Sequence, residues 1–399
     1  MHSNLLKNNT ICMNFWHFNC HLWPINLFLL IYLVIKEVFM SHFIAEPKQG
    51  VPFVSVQTMA KLINKVGIEN VLLELTQRLK HDFARWDEFD KSPRYAAHSP
   101  DGVIELMPVS DGEMFSCKYV NGHPKNTFKE LQTVAAFGIL SDVDSGYPVM
   151  ISEMCLLTAL RTAATSALVA KYLAPKHSTT LTLIGNGAQS EFQALAFKAV
   201  LGITHIRLYD IDKNASKKAY NNLSGYGLNI TICNSAEEAV QSAHIITTCT
   251  ADKKNATILT SDMIPQGVHL NAIGGDCPGK TELDSALLER ANVFVEYEPQ
   301  TRIEGEIQQM SSSFDVTEFH KVINKQTPGR TSNDELTIFD GVGFASEDFT
   351  ALVYIKDALV AAGEFSLLDL ITQQADPRNL FSVLNSAQTS KTTKQEQVA

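Results

Sequence analysis

The chain has 399 residues, of which 45% are hydrophobic and 19% charged. This composition excludes an intrinsically disordered, collagen-like or disulfide-stapled protein, and the length predicts two globular domains. The formal charge of -10, from 33 basic and 43 acidic residues, argues against nucleic acid as a partner and favours small molecules. The seven cysteines include no C-x-x-C pair, and no histidine cluster has zinc spacing, which predicts a cytoplasmic protein without a metal site.

Residues 1–39 differ from the rest of the chain and are predicted to be an N-terminal extension. The apolar run Leu22–Ile35 has fourteen residues. A helix that spans a bilayer needs about 20, so membrane attachment is disfavoured. Two interpretations stay open: translation begins at Met40, or the extension is a membrane anchor or an export signal. At the other end, the polar residues 386–399 are expected to form a disordered tail.

The first domain is predicted from residues 40–174 together with residues 331–385. Its elements are one amphipathic helix near Thr58 to Trp86 and the strands Val103–Pro108 and Met114–Val120. A long helix rich in alanine and leucine then leads out of this domain. We expect Ser152 to cap that helix and Pro175 to end it, because proline cannot continue a helix.

Residues 175–330 are predicted to form the second domain, an α/β domain with a doubly wound parallel sheet of the Rossmann type. Short, continuous apolar runs alternate here with helical patterns, as expected of a parallel sheet that is covered on both faces. The six predicted strands are Thr180–Ile184, Ile206–Asp210, Ile230–Cys233, Ile245–Thr250, Val268–Ile273 and Val293–Tyr297.

A dinucleotide-binding turn is predicted at Gly185-Asn186-Gly187-Ala188-Gln189-Ser190, between the first of these strands and a helix at Glu191–Val200. The two glycines permit a tight turn and a close approach of the main chain to a pyrophosphate at the helix N-terminus. Asp210 ends the next strand, where a carboxylate binds ribose hydroxyls and repels a 2′-phosphate, so NAD is favoured over NADP. Asp212 is an alternative for this role, and an ordinary loop is the alternative for the turn.

Candidate catalytic chemistry follows the strand Val268–Ile273, in the loop Gly274-Gly275-Asp276-Cys277-Pro278-Gly279-Lys280. Ligands of such sheets bind beyond the carboxyl ends of the strands, which places Asp276 where it can move protons beside a nicotinamide. An Asx-type turn is an equally good explanation of Asp276. For Cys277 no histidine partner is suggested, so we expect a small buried thiol rather than a nucleophile.

Three cations of the first domain suit a substrate with a carboxylate group. Arg94, Lys118 and Arg161 each lie in an apolar setting, and arginine binds a carboxylate through two hydrogen bonds whereas lysine acts as a point charge. Glu105 is placed to hold a second, cationic group of the same substrate. For each of these residues the alternative is an exposed side chain, paired at the surface or simply solvated.

The chain resembles the ornithine cyclodeaminase and mu-crystallin family over about Val51 to Leu370. The resemblance rests on Leu183-Ile184-Gly185-Asn186-Gly187-Ala188-Gln189-Ser190-Glu191-Phe192-Gln193, on Gly274-Gly275-Asp276-Cys277-Pro278-Gly279-Lys280-Thr281-Glu282-Leu283, and on Asp340-Gly341-Val342-Gly343-Phe344. The second segment looks like the cyclodeaminases in particular. The family resemblance implies a Rossmann domain, a substrate-binding domain that forms a homodimer, and an NAD cofactor. The N-terminal extension departs from the family pattern.

The resemblance also implies roles for individual residues. Arg94, Lys118 and Arg161 would bind the substrate carboxylate, Asp276 would be the acid and base, and Glu105 and Val342 would line the same pocket. On the cofactor side it implies Thr133, Arg161, Gly185, Gly187, Ala188, Gln189, Asp210, Thr250, Ile273, Gly274, Gly275, Lys280 and Gly341. The implied reaction converts L-ornithine to L-proline and ammonia, with a hydride held transiently by tightly bound NAD+ and no net redox change.

Other activities of the same site remain open from the sequence. An NAD-dependent amino-acid dehydrogenase or a cyclic ketimine reductase would use the same groups with net redox change. Lysine differs from ornithine by one methylene, typically about 1–3 kcal/mol in an apolar pocket, so a lysine cyclodeaminase is a further alternative. The remaining alternative is a protein that binds a dinucleotide or another ligand without catalysis.

Overall fold

The computed structural model describes residues 50–251 and 257–384. The predicted extension at 1–39 and the predicted tail at 386–399 therefore lie outside the described residues. Within the described part of the chain, no helix combines the length and the apolar character needed to cross a membrane. The described residues build two sheets, each with its own pattern of strand pairing.

The first sheet is mainly antiparallel. Its strands are β1 (Val51–Val54), β2 (Asp90–Lys91), β3 (Tyr95–Ser99), β4 (Gly102–Ser110), β5 (Met114–Gly122), β6 (Ala136–Asp142), β7 (Pro148–Glu153) and β16 (Ser366–Leu368). They follow the order β16-β1-β7-β6-β5-β4-β2, and β3 pairs with β4. Buried and open positions alternate along β4 and β5, so one face of this sheet is covered and the other is open.

The second sheet is parallel throughout and confirms the predicted doubly wound fold class. Its strands are β8 (Thr180–Ile184), β9 (His205–Tyr209), β10 (Asn229–Ile232), β11 (Ile245–Thr248), β12 (His269–Ala272), β13 (Asn292–Val295), β14 (Thr317–Glu318) and β15 (Thr337–Asp340). They follow the order β10-β9-β8-β11-β12-β15-β13-β14. All six predicted strands are present, and β14 and β15 are additions that the sequence did not indicate.

Ten helices of the described residues connect and cover the sheets. They are α1 (Val56–Val66), α2 (Ile68–Ala84), α3 (Cys155–Leu173), α4 (Ser190–Leu201), α5 (Lys213–Leu223), α6 (Ala236–Val240), α7 (Ser285–Glu289), α8 (Glu298–Glu304), α9 (Phe319–Ile323) and α10 (Ala345–Ala362). Helix α10 packs on β4, β5 and β6, while α3 contacts α2, α4 and α10 as well as β12 and β15 of the second sheet. Helix α3 thus links the two sheets through a shared apolar core.

The predicted cap of the long helix is wrong. Ser152 lies in β7, where its hydroxyl donates to the carbonyl of Glu153 at 2.8 Å. The helix begins at Cys155, and the carboxylate of Glu153 accepts from the amides of Cys155 and Leu156 at 2.9 and 3.0 Å. Glu153 therefore satisfies the first orphan amides, the role expected of Ser152, because β7 extends beyond the serine.

The single helix predicted near Thr58 to Trp86 is two helices. They are divided at Gly67, which has φ of 88° and ψ of 128°. The amide of Gly67 still donates to Ile63 at 2.8 Å, so the glycine closes α1 before α2 starts at Ile68. The apolar period continues across the break, which is why periodicity alone joined the two helices.

We predict that Gly67→Ala lowers the free energy of unfolding by about 1–2 kcal/mol, because a residue with a β-carbon is strained at this backbone conformation. The nearest side-chain atom to an added β-carbon is 3.5 Å away, so the cost is conformational rather than a clash. Urea titration followed by circular dichroism measures it. Gly225→Ala is the matched control, since that glycine has no left-handed φ and no neighbour within 4 Å of a β-carbon. Equal losses in both variants would contradict the prediction.

Candidate active site

The predicted dinucleotide-binding turn follows β8 and opens α4. Gly185 has φ of 91°, and a β-carbon there would lie 2.8 Å from the carbonyl of Cys249, so only glycine fits. At Gly187, by contrast, no atom lies within 4 Å of an added β-carbon, and the main chain is exposed. Asn186 is fully buried and holds the turn from inside, accepting from the hydroxyl of Ser216 at 2.7 Å. The turn therefore presents bare backbone to a ligand at the start of α4.

Asp210 stands directly after β9, beside this turn. Its carboxylate accepts from the amide of Asn186 at 2.6 Å and from the amide of Asp212 at 2.8 Å. Asp212 instead caps α5, because its side chain accepts from the amide of Asn214 at 2.9 Å. The geometry thus favours Asp210 over Asp212 as the ribose-binding carboxylate, although that role stays a prediction.

The glycine loop after β12 is packed against buried carboxylates. A β-carbon at Gly274 would lie 2.2 Å from Glu282, and one at Gly275 would lie 2.5 Å from Glu306. Glu306 accepts from the amides of Glu282 and Leu283 at 2.8 and 3.0 Å, and burial raises its pKa to about 8. A side chain at Gly274 or Gly275 would need the space that the carboxylates of Glu282 and Glu306 occupy, and these carboxylates hold the loop through hydrogen bonds.

Asp276 projects from this loop with a half-exposed side chain. Its carboxylate is 3.3 Å from the ammonium of Lys280, and that ammonium also donates to the carbonyl of Thr250 at 3.0 Å. The amide of Thr250 in turn donates to Glu282 at 3.2 Å. Lys280 therefore connects Asp276 to the loop after β11, which touches Gly185 of the dinucleotide turn. Cys277 next to it is buried, as the sequence predicts.

Arg94 is buried and engaged on three sides. Its NH1 donates to Glu105 at 3.1 Å, its NH2 donates to the carbonyls of Val342 and Gly343 at 2.9 and 2.6 Å, and its Nε lies 3.0 Å from Glu304. The expectation that Arg94 and Glu105 are surface residues is excluded, since the side chains are 6% and 7% exposed. The structure brings the predicted residues Arg94, Glu105 and Val342 together.

Lys118 and Arg161 share one carboxylate. Asp348 lies 2.7 Å from the ammonium of Lys118 and 3.0 Å from Nε of Arg161, while Glu347 lies 2.6 Å from NH1 of Arg161. Burial lowers the pKa of Lys118 to about 8, although Asp348 opposes that shift. For Arg161, burial acts against the charge, but Asp348 and Glu347 outweigh it and raise the pKa of the guanidinium. Gly343 adjoins Arg161, which places this pair beside Arg94.

Apart from Glu105, the carboxylates that balance these cations were missed by sequence reasoning. Glu347 and Asp348 open α10 immediately after the glycine segment that ends at Phe344, so a pair of acids at a helix start was the available signal. Glu304 ends α8 in an acid-rich stretch, and nothing in its spacing indicated a contact with Arg94. Glu282 follows the Asp276 loop and was noted only as part of the family resemblance.

The remaining predicted residues lie in three places. Ile273 and Gly341 lie side by side at the carboxyl ends of β12 and β15, where a β-carbon on Gly341 would be 3.3 Å from Ile273. Ala188 and Gln189 follow Gly187 in the turn. Thr133 is different: its carbonyl accepts from the amide of His123 at 2.9 Å, and the described contacts do not join it to the turn. Its predicted cofactor role stays a prediction.

A profile of the Ornithine cyclodeaminase/mu-crystallin family matches residues 56–363. The chain belongs to this family. An ornithine cyclodeaminase of Brucella melitensis is 58% identical over 334 residues, which are 84% of this chain and 93% of that protein. The resemblance that the sequence suggested is thereby confirmed.

Two solved structures have the same fold. One describes the recognition of L-lysine, L-ornithine and L-2,4-diaminobutyric acid by lysine cyclodeaminase, and it is 27% identical with a TM-score of 0.79 over 83% of this chain and 99% of that one. The other is an archaeal alanine dehydrogenase dimer with bound NAD, 28% identical with a TM-score of 0.74 over 80% of this chain and 99% of that one. A structure named for a cyclodeaminase and one named for a dehydrogenase thus share the architecture of this chain.

We predict that Arg161→Met destabilises the protein by about 3–5 kcal/mol, because it leaves Glu347 buried without its ion-pair partner and Asp348 with Lys118 alone. Burial already raises the pKa of Glu347, and the loss of Arg161 removes the charge that opposes this rise. The folded state then favours the protonated acid, so the loss of stability is greater at pH 8.5 than at pH 6. Unfolding free energies at both pH values measure this.

The matched control for this prediction is Arg78→Met. Arg78 pairs with Asp357 at 2.7 Å, but its side chain is 33% exposed. Solvent screening limits such a pair to about 1 kcal/mol or less, without a pH dependence between 6 and 8.5. A loss at Arg161 that matches the control in size would contradict the buried charge balance described above.

Proposed function

We propose that the protein is an ornithine cyclodeaminase, which converts L-ornithine to L-proline and ammonia with NAD as cofactor. The observation that carries the proposal is the position of Asp276, a single half-exposed carboxylate between the dinucleotide turn and the cluster of Arg94, Lys118 and Arg161. The identity of 58% to a protein of that name supports the same activity. The alignment spans 93% of that relative's length.

The residues of the second sheet fit NAD. Gly187 leaves its main chain open for a pyrophosphate, and Asp210 directly follows β9, where a ribose would lie. The side-chain oxygen of Gln189 is buried without a hydrogen-bond partner among the described residues, which is consistent with a missing ligand. When bound, NAD+ supplies a reversible acceptor for the hydride of the substrate α-carbon.

The chain's own residues then hold the substrate and move its protons. Arg94, Lys118 and Arg161 bind the α-carboxylate, to which arginine offers two hydrogen bonds and lysine a point charge. The distal amine of ornithine is protonated at neutral pH and cannot attack, so Asp276 accepts its proton and later gives a proton to the departing α-nitrogen. Lys280 holds Asp276 in place for both transfers. The distal amine belongs to the same molecule as the carbon that it attacks, so ring closure does not require a second reactant to bind.

A net oxidoreductase is the second candidate, because the alanine dehydrogenase with bound NAD has the same fold. The two activities differ in whether NADH accumulates as the substrate is consumed. A cyclodeaminase that is given L-ornithine and a trace of NAD+ releases ammonia and proline in equal amounts without a build-up of NADH. Accumulation of NADH in step with substrate loss would establish the dehydrogenase instead.

We predict that Asp276→Asn lowers kcat with L-ornithine by at least about 100-fold, because the amide cannot accept the ammonium proton. The affinity for NADH, measured by fluorescence, should stay within about threefold. Asp284→Asn is the control: this residue caps α7 through the amide of Ala286 and should keep kcat within about twofold. Full activity of the Asp276 variant would reject the assignment of the acid and base.

The proposed enzyme is a homodimer, and the open face of the first sheet is its proposed interface. Tyr95, Leu106, Tyr119 and Phe137 lie opposite one another on β3, β4, β5 and β6 and form one apolar row. Three of these side chains are large and exposed, with Phe137 at 53%, and Tyr119 stacks on Phe137 at 5.0 Å. A continuous apolar sheet face of this kind is typical of a protein contact, and the alanine dehydrogenase of the same fold is a dimer.

We predict that the double variant Leu106→Lys and Phe137→Lys sediments as a monomer, whereas the parent sediments at twice the mass of one chain. Two charges in the centre of an apolar contact lose their hydration without a partner. Ile232→Lys is the control, because Ile232 is 42% exposed on the edge strand β10 of the other sheet. A double variant that stays dimeric would place the interface elsewhere.

A cytoplasmic location is part of the same proposal. The division into a substrate-binding and dimerisation domain at 40–174 and 331–385 and a cofactor domain at 175–330 is proposed as well. Strand β15 at Thr337–Asp340 pairs with β12 and β13 in the second sheet and β16 pairs with β1 in the first, so the C-terminal segment contributes to both sheets.

A further inference from the structure

Gly343 is the junction between the two arginines of the proposed carboxylate site. Its carbonyl accepts from NH2 of Arg94 at 2.6 Å, and a β-carbon on it would lie 2.5 Å from NH1 of Arg161. Its φ of 77° is a left-handed value that favours glycine. The position of this one residue therefore acts on both guanidinium groups.

Two buried side chains from the segment after β13 hold this glycine. Glu296 accepts from the amide of Gly343 at 3.0 Å. Gln300 donates to the carbonyl of Gly343 at 2.9 Å, and its side-chain oxygen accepts from the amide of Arg94 at 3.2 Å. Both side chains are 1% exposed. Gly343 is thus fixed through its amide and its carbonyl, and Gln300 joins it to the main chain of Arg94.

Glu296 and Glu347 each have one oxygen without a partner. Oε2 of Glu296 and Oε1 of Glu347 are buried and form no hydrogen bond with the described residues. The two acids are neighbours, because Glu347 accepts from Arg161 at 2.6 Å and Arg161 adjoins Gly343, which donates to Glu296. Two buried carboxylates at short range repel each other when both are charged, whereas one proton between them gives each free oxygen a partner.

The surroundings favour Glu296 as the acid that carries this proton. Arg161 pairs with Glu347 and stabilises its charge, while Glu296 forms no ion pair within the described part of the chain. Burial raises the pKa of Glu296 well above its ordinary value, the charges of Glu347 and Asp340 add to this rise, and the hydrogen bond from Gly343 opposes it. An uncharged Glu296 also adds no repulsion against a substrate carboxylate.

We propose that Glu296 is a positioning residue of the carboxylate site and acts as a neutral acid. It donates a hydrogen bond to Glu347 and accepts one from Gly343. The two contacts together keep Arg94 and Arg161 in one arrangement. This inference rests on the proposed function, which assigns both arginines to the substrate carboxylate.

The first test compares two substitutions at Glu296. Glutamine is uncharged and can still donate to Glu347 and accept from Gly343, whereas leucine has a similar size and can do neither. The Kd of L-ornithine is measured by calorimetry on the protein loaded with NADH, so that no oxidation takes place. We expect Glu296→Gln to stay within about threefold of the parent and Glu296→Leu to bind at least about tenfold more weakly, because a buried amide loses its acceptor. The Kd of NADH should change by less than about threefold in both variants, which shows that they are folded.

Gln300→Leu tests the same junction from its other side. This variant removes the contacts with the carbonyl of Gly343 and the amide of Arg94, and it should also raise the Kd of L-ornithine at least about tenfold. Glu335→Leu is the matched control and should change neither Kd. Glu335 accepts from the amide of Ser332 at 3.2 Å and precedes β15, whereas Gly343 follows the other end of that strand. An unchanged Kd of L-ornithine in Glu296→Leu, or equal losses in Glu296→Leu and Glu296→Gln, would overturn the inference.

An infrared difference spectrum gives a readout that needs no substrate. A neutral Glu296 contributes the carbonyl stretch of a protonated carboxyl group at neutral pH, and this band should be present in the parent and missing from Glu296→Gln. Other buried acids, such as Glu306 with a pKa of about 8, contribute to both spectra and cancel in the difference. A difference spectrum without the band would show a charged Glu296 and contradict the proposal. A parent that does not turn over L-ornithine would reject the proposed function, whereas this band judges the proton on Glu296 separately.

Discussion

The compensation of buried positive charge is the constraint on which the site depends. Arg94, Lys118 and Arg161 are almost fully removed from water, and an uncompensated cation in such a place costs several kcal/mol. Each is matched by carboxylates from another part of the chain, and Asp348 serves two of them. The start of α10 is consequently fixed against β5 and α3, and this contact holds the three proposed anchors for a substrate carboxylate in place.

The glycines of the site follow from the same constraint. Gly274, Gly275 and Gly343 lie where a β-carbon would occupy the space of Glu282, Glu306 and Arg161. Charged groups approach the main chain this closely only where no side chain intervenes. Gly185 differs, because its left-handed φ and the neighbouring loop both exclude other residues. Pattern reading assigns all such glycines to turns, whereas here most of them make room for a charge.

Local features were predictable and distant ones were not. The turn at Gly185, the strands of the second sheet and the loop of Asp276 are each specified within a few residues, by apolar runs and glycine spacing. Arg94 and Glu304 are 210 positions apart, and no periodicity connects them. The break at Gly67 was missed for a related reason: the apolar stripe continues through it, and only the backbone conformation separates the helices.

By itself, the sequence determined the class of fold, the dinucleotide-binding turn and the identity of the cations and of Asp276, because these depend on short-range patterns and on residue chemistry. The tertiary structure decided which carboxylates accompany those cations, because buried charges are paired across the fold and not along the chain. It also decided that Asp210 rather than Asp212 faces the turn, since Asp212 is used by its own helix.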